Sequence, residues 1–322
     1  MRLGIMGAGM IVKEALPVLR EINIKLEGIC ATKRSEEKLK SLSKEYSIAN
    51  YYTDFDEMLG NENIDTVYIA LPNTLHYEFC KKALEAGKHV ICEKPFTVKL
   101  EELEELKEIA DKKKLILIEA ITTLYIENYL DLKGKVERGE LGDVKMVSAN
   151  YSQYSSRYDN FKKGIISPSF DPKFAGGSLM DLNIYNIQFV CGIFGRPEDV
   201  YYVPVMENNI DVSGSLILKY KDFNCVCVGS KACNCDCHMQ IQGTKAAITM
   251  MRPANECSSY GVFKKGEGTE LFNVNTHEHR MTAEFIEFER IIDEEDFEKA
   301  GEMMEKSLIA MEVIDKARKF MK

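Results

Sequence analysis

From Arg2 to Ala120 the chain alternates short apolar runs with longer segments whose apolar residues recur every three or four positions. The runs are Arg2 to Gly7, Leu26 to Ala31, a short one around Tyr51, Asp65 to Leu71, His89 to Phe96 and Leu115 to Ala120. Apolar runs of this length, bounded by glycine, proline or polar residues, are read as buried parallel strands. Helical spacing fills the gaps: Ala15, Leu16 and Leu19 after the first run, then Ser35 to Tyr46, Leu75 to Ala86, and Leu100 to Lys113 with its stripe of Leu103, Leu106, Ile109 and Ala110. Alternation of strand and helix predicts a Rossmann-type, doubly wound parallel sheet that binds ligands at the carboxyl ends of its strands.

Beyond residue 121 the pattern changes. A helix over Asn128 to Arg138 leads through Leu141-Gly142-Asp143 into a strand from Val144 to Tyr151. Ser152 to Pro172 is polar and aromatic without a period, with Arg157, Tyr158 and Phe161, and is read as a substrate-side loop. Gly177 to Phe194 is apolar around almost its whole helical circumference, yet Ser178, Asp181, Tyr185 and Gln188 recur every three or four residues. A buried carboxylate and phenol left unpaired cost about 1 to 3 kcal/mol each, so either an internal network or a substrate hydroxyl must meet them. Five strands follow, Val200 to Met206, Asp211 to Tyr220, Phe223 to Ser230, Cys235 to Gly243 and Ala246 to Met250, implying a mostly antiparallel open sheet. Helices Met281 to Ile292 and Phe297 to Lys319 close the chain and read as packing. The expected division is a dinucleotide-binding domain over 1–121 and an α+β domain over 122–322.

The 322 residues suffice for two domains, and the net charge of −9 leaves no basic field for nucleic acid. No apolar segment is long enough to span a bilayer, and Arg2 to Met6 already reads as a strand, so a cytoplasmic protein without a signal peptide is expected. Ten cysteines are then expected to be reduced and to act as small apolar residues. Cys225 and Cys227 share a strand face with Phe223, and Cys233, Cys235 and Cys237 share one with Met239 and Ile241, while His238 points the other way. That arrangement argues against a metal site.

Chemistry concentrates at the carboxyl ends of the early strands. Gly7-Ala8-Gly9-Met10-Ile11 joins the first strand to the first helix, with Gly7 for the tight turn and Gly9 for close approach of a pyrophosphate to the helix amino end. Val12 occupies the place of the usual third glycine. After the second strand come Thr32, Lys33 and Arg34, with no acid between Gly28 and Ser35 to grip a ribose 2′-hydroxyl. Two cations there suit a 2′-phosphate, which favours NADP, with NAD as the alternative. Leu71, Pro72 and Asn73 end the fourth strand, and His76 begins a helix as either a local helix-start histidine or a cofactor contact. Glu93 and Lys94 end the fifth strand at the same edge.

Four motifs resemble, in order and spacing, the glucose-fructose oxidoreductase and inositol dehydrogenase (Gfo/Idh/MocA) family: Gly7-Ala8-Gly9, Pro72 to His76, Gly87 to Pro95, and Gly176 to Tyr185. The stretch Asp181 to Tyr185 looks most like dimeric dihydrodiol dehydrogenase and the NADP-dependent xylose dehydrogenases. The resemblance implies a nicotinamide-dependent dehydrogenase acting on a sugar, cyclitol or diol, a homodimer through the carboxyl-terminal sheet, and Lys94 in the active site. Tyr185 is then expected to move the hydroxyl proton, Lys94 to hold the substrate oxygen, and Asp181 to orient a neighbouring hydroxyl. One departure stands out: where those relatives carry a tryptophan, arginine and proline cluster, this chain has Thr122, Leu124 and Glu127. The missing arginine leaves a non-catalytic NAD(P)- or sugar-binding regulator as the competing reading.

Overall fold

A computed structural model describes residues 1–321. It forms two compact units, Met1–Ala120 with Met281–Ser307, and Ile121–Arg280 with the residues from Leu308 onward.

The first unit contains β1 (Arg2–Met6), α1 (Met10–Glu21), β2 (Lys25–Cys30), α2 (Glu36–Tyr46), β3 (Tyr51–Tyr52), α3 (Phe55–Leu59), β4 (Thr66–Ile69), α4 (His76–Glu85), β5 (His89–Glu93), α5 (Leu100–Lys113) and β6 (Leu117–Ala120). Its six strands are all parallel, in the order β3-β2-β1-β4-β5-β6. The chain therefore winds outward in one direction to β3, returns past β1 to β4, and continues in the other. The carboxyl ends of β1 and β4 flank that reversal, where open α/β sheets leave a crevice. Leu3, Ile5, Val67, Ile69, Val90 and Ile91 are fully buried, as the continuous apolar runs require of strands covered on both faces. The short α3 has no five-residue period to betray it. It starts because Asp54 Oδ1 accepts the Asp56 and Glu57 N–H groups at 2.8 and 3.2 Å.

The second unit contains α6 (Glu127–Glu137), β7 (Val144–Ser152), α7 (Tyr158–Lys162) and a π-helical turn, Leu179–Asn183, that runs into α8 (Ile184–Phe194). Then come β8 (Asp199–Glu207), β9 (Ile210–Lys219), β10 (Asn224–Ser230), β11 (His238–Gly243), β12 (Ala246–Met250), β13 (Tyr260–Lys264) and β14 (Gly268–Phe272). Its eight-stranded sheet has the order β14-β13-β12-β11-β7-β10-β9-β8, parallel only between β7 and β10. Strands β13 and β14 lie beyond the five expected ones. Residues of β14 are mostly exposed, so no apolar alternation marks it in the sequence.

Two helices end the described chain, α9 (Thr282–Asp293) and α10 (Phe297–Arg318). The expected division placed both in the second domain, whereas Met281–Ser307 group with the first unit. Aromatic packing is the physical cause. Phe285 and Phe288 are fully buried, and Phe285 meets Tyr68 of β4 edge to face at 5.4 Å. The Ser307 hydroxyl also donates to Glu119 Oε2 at 2.6 Å.

One further stretch gains detail beyond its sequence reading, and one further expectation needs correction. The stretch from Ser152 to Pro172 is a packed loop containing α7, in which Tyr158, Phe161 and Phe170 stack and bury against Ile210 and Val212 of β9. Aromatic side chains at irregular spacing supply this small core, so periodicity does not reveal it. The strand expected from Cys235 begins only at His238, and Cys233 and Cys235 are exposed in the preceding bend. Cys225 and Cys227 do lie fully buried on one face of β10.

Candidate active-site residues

The glycine turn after β1 is shaped by what a side chain would strike. Gly7 has φ +130°, and a Cβ there would lie 2.3 Å from the Ala70 carbonyl at the end of β4. Gly9 differs, since a Cβ would meet nothing within 4 Å. It is the N-cap of α1, no side chain caps that end, and the first turn carries no acid. The amino end of α1 is thus uncrowded at Gly9, and the adjoining Met10 is strongly exposed. This cradle fits a pyrophosphate. From α2, the Lys38 ammonium donates to the Ala8 carbonyl and holds the turn.

Thr32, Lys33 and Arg34 are all exposed just past β2. Among the described residues neither cation has an ion-pair partner, so both are open to an added phosphate.

Cross-braces fix the carboxyl ends of β4, β5 and β6. His76 is fully buried, with Nδ1 at 2.9 Å from the Pro95 carbonyl and Nε2 at 2.8 Å from the Leu71 carbonyl. Burial pushes its imidazole below the usual range, against the pull of those carbonyls toward the charged form. Both ring nitrogens thus face backbone carbonyls, and the neutral ring, with a single N–H, donates to one of them. The Tyr68 hydroxyl donates to the Glu93 carboxylate, and burial next to that carboxylate drives the phenol well up. Glu119 Oε1 accepts the Phe96 N–H at 3.1 Å. Within the run Ile91 to Thr97, only Lys94 escapes full burial. Its neighbours are clamped, so its ammonium stands on a rigid base.

In the second unit an analogous run, Ala175 to Gly192, is buried except at Asp181. The π-helical turn carries Asp181 and ends before Tyr185, which is 7% exposed and lies 5.8 Å from the Tyr151 ring, centroid to centroid. Asn183 and Asn186 bond the carbonyls of Cys227 and Val228, tying the helix to β10. Ser178 and Gln188, the other members of the polar stripe, are buried. The Asp181 partner is Lys231, whose ammonium donates to Oδ2 at 2.7 Å. Lys231 follows β10 in a stretch without apolar period, so no sequence signal singles it out.

Asp211 is a second residue that sequence reasoning missed. Its Oδ2 accepts the Leu179 N–H and the Tyr202 hydroxyl, each at 2.7 Å, which anchors the start of the π turn. Burial pushes its carboxyl up to about 6. At the departure after β6, the Arg280 guanidinium donates to Thr122 Oγ1 at 3.2 Å. A cation 158 positions away thus meets the segment in which the expected arginine is missing.

Residues 1–121 match the GFO_IDH_MocA oxidoreductase family with its NAD-binding Rossmann fold, and residues 129–249 match that family's carboxyl-terminal domain. The scyllo-inositol 2-dehydrogenase (NADP(+)) of Bacillus subtilis is 33% identical over 292 residues, covering 89% of this chain and 87% of its own. The D-xylose 1-dehydrogenase (NADP(+)) of Hypocrea jecorina is 26% identical over 314 residues, covering 89% and 80%. A 3-ketoreductase from Actinomadura kijaniata, solved with NADP and TDP-benzene, shares the fold with a TM-score of 0.83 at 20% identity, over 99% of this chain and 97% of that one. Sequence and architecture agree along both units, and the chain belongs to the Gfo/Idh/MocA oxidoreductase family.

Proposed function

We propose that this chain is an NADP-dependent dehydrogenase that moves a hydride between nicotinamide and the carbinol carbon of a cyclitol, sugar or trans-diol. One observation carries the reading: Lys94 and Asp181 are the single partly open positions in two otherwise buried runs. A solvated surface charge has no need of such surroundings, whereas a group that meets a substrate does. The relatives named for scyllo-inositol and D-xylose, both with NADP(+), support the substrate class and cofactor.

When bound, the nicotinamide supplies the hydride acceptor or donor. The amino end of α1 and Gly9 hold the pyrophosphate, and Lys33 and Arg34 hold the 2′-phosphate. During oxidation Tyr185 Oη takes the proton from the reacting hydroxyl, and during reduction it returns it. Lys94 Nζ stabilises the charge that develops on the substrate oxygen and favours the tyrosinate. Asp181 accepts a hydrogen bond from a neighbouring hydroxyl. His76 and Glu93 act in this reading through the backbone and β4, positioning the edge on which the cofactor lies. A homodimer through the open face of the second unit's sheet belongs to the same reading.

The test is a panel of scyllo-inositol, myo-inositol, D-xylose, D-glucose and trans-cyclohexanediol with NADP or NAD, followed by absorbance of the reduced nicotinamide. Turnover of at least one polyol with NADP preferred is the expected result. Silence across the panel together with tight NADP binding points instead to a non-catalytic binding protein of the same fold.

A further inference from the structure

Lys231 is the only lysine or arginine among the described residues that is buried, at 2% exposure. Its main chain is fixed on both sides: the N–H donates to the Val212 carbonyl at 2.8 Å and the carbonyl accepts from Ser155 at 2.9 Å. The side chain runs inward. Its ammonium donates to Asp181 Oδ2 at 2.7 Å and to the Ser169 carbonyl, and it lies 4.3 Å from the Phe170 ring centroid. The end of β10, the packed loop before Gly177 and the π turn therefore converge on one charge. A buried ion pair is a poor device for stability, because apolar residues of equal volume often serve as well. What this pair supplies is geometry. Oδ2 is tethered to a buried ammonium, although the Asp181 side chain is 38% exposed.

We propose that Lys231 is a positioning residue that aims the Asp181 carboxylate at a substrate hydroxyl and locks the Ser169–Phe170 segment to it. The loop and the carboxylate then shift together, so the shape of the loop selects which hydroxyl arrangement Asp181 can meet. The substrate half of this inference rests on the role given to Asp181 above, whereas the lock does not.

Two measurements separate the halves. The first is limited trypsin digestion of the full chain, which reads access to Arg157, Lys162 and Lys163, all exposed on the loop. Lys231→Met should speed cleavage there by about tenfold, and Lys231→Gln, which keeps a donor for Ser169, should do so less. Unchanged cleavage in both folded variants overturns the lock. The second is a double-mutant cycle with Asp181→Asn on the best polyol of the panel. Because orienting a remote hydroxyl acts on ground and transition states alike, Lys231→Met should raise KM about tenfold or more while kcat and NADP affinity stay nearly constant. In the Asp181→Asn background it should add little. Additive losses, or a fall in kcat alone, overturn the positioning role. Should Lys231→Met not fold, Lys231→Gln carries both measurements. If the wild-type chain turns over nothing in the panel, the dehydrogenase reading and the positioning role fall together, and digestion alone decides the lock.

Discussion

Lys94, Lys33 with Arg34, and Asp211 each make a separable claim. Replacing Lys94 by Met should lower kcat by about a thousandfold, since it removes a charge that acts as the substrate oxygen becomes negative. Affinity for NADP, measured by fluorescence titration, should change less than about threefold; a variant with wild-type rates would remove Lys94 from the mechanism. Lys33→Ala with Arg34→Ala should weaken NADP by about tenfold or more and leave NAD almost unaffected, so the ratio of their dissociation constants is the readout. Asp211 adds a pH dependence. Its proton leaves near the usual 3.8 when unfolded and at about 6 when folded, so the folded state holds it more tightly. The stabilisation is complete below 3.8 and is lost as pH rises through 6, about 3 kcal/mol if the group acts alone. Asp211→Asn keeps an acceptor for the Leu179 N–H and cannot ionise. Its melting temperature relative to wild type should therefore be higher at about pH 8 than at about pH 4.5. Lys94 and Asp181 could be read from the sequence because apolar neighbours frame them. Lys231 and Asp211 could not, because burial of a polar group is decided by distant segments.

The π-helical turn is the element in which sequence and structure part most usefully. Even spacing of Ser178, Asp181, Tyr185 and Gln188 implies one regular helix, and α8 does continue to Phe194. The wider turn at Leu179–Asn183 has no such signature, and Asp211 grips the Leu179 N–H at its start. Gly177 makes that grip possible. Its φ is +110°, and a Cβ would sit 1.9 Å from Asp211 Oδ1. Gly177→Ala should cost about 3 kcal/mol or more, seen as a lower denaturation midpoint, through both strain and collision. A midpoint near wild type would show that Asp211 can yield. The longer helices and strands of the first unit were legible because each buries one continuous apolar run or stripe, whereas five-residue α3 was not. Exposed β14 and the aromatic core around Phe161 were not, because neither follows a period of two or 3.6.

At the scale of the whole molecule, the second unit's sheet leaves Tyr201, Val203, Val205 and Ile217 exposed on one face of β8 and β9. If a second copy covers that face, Val203→Asp should shift sedimentation from dimer to monomer without unfolding the chain. A wild type that sediments as a monomer would end that proposal. The discontinuous first unit has a further meaning for how the molecule comes into being. Tyr68 packs on Phe285, and Glu119 bonds Ser307. During vectorial synthesis these sheet residues emerge long before their partners. The cofactor-binding unit therefore completes its own core only when residues as far as Ser307 have left the ribosome, after every strand of the second sheet. A fragment ending at Ala120 should accordingly keep helical far-UV dichroism but lose near-UV signal, with Tyr68 in water.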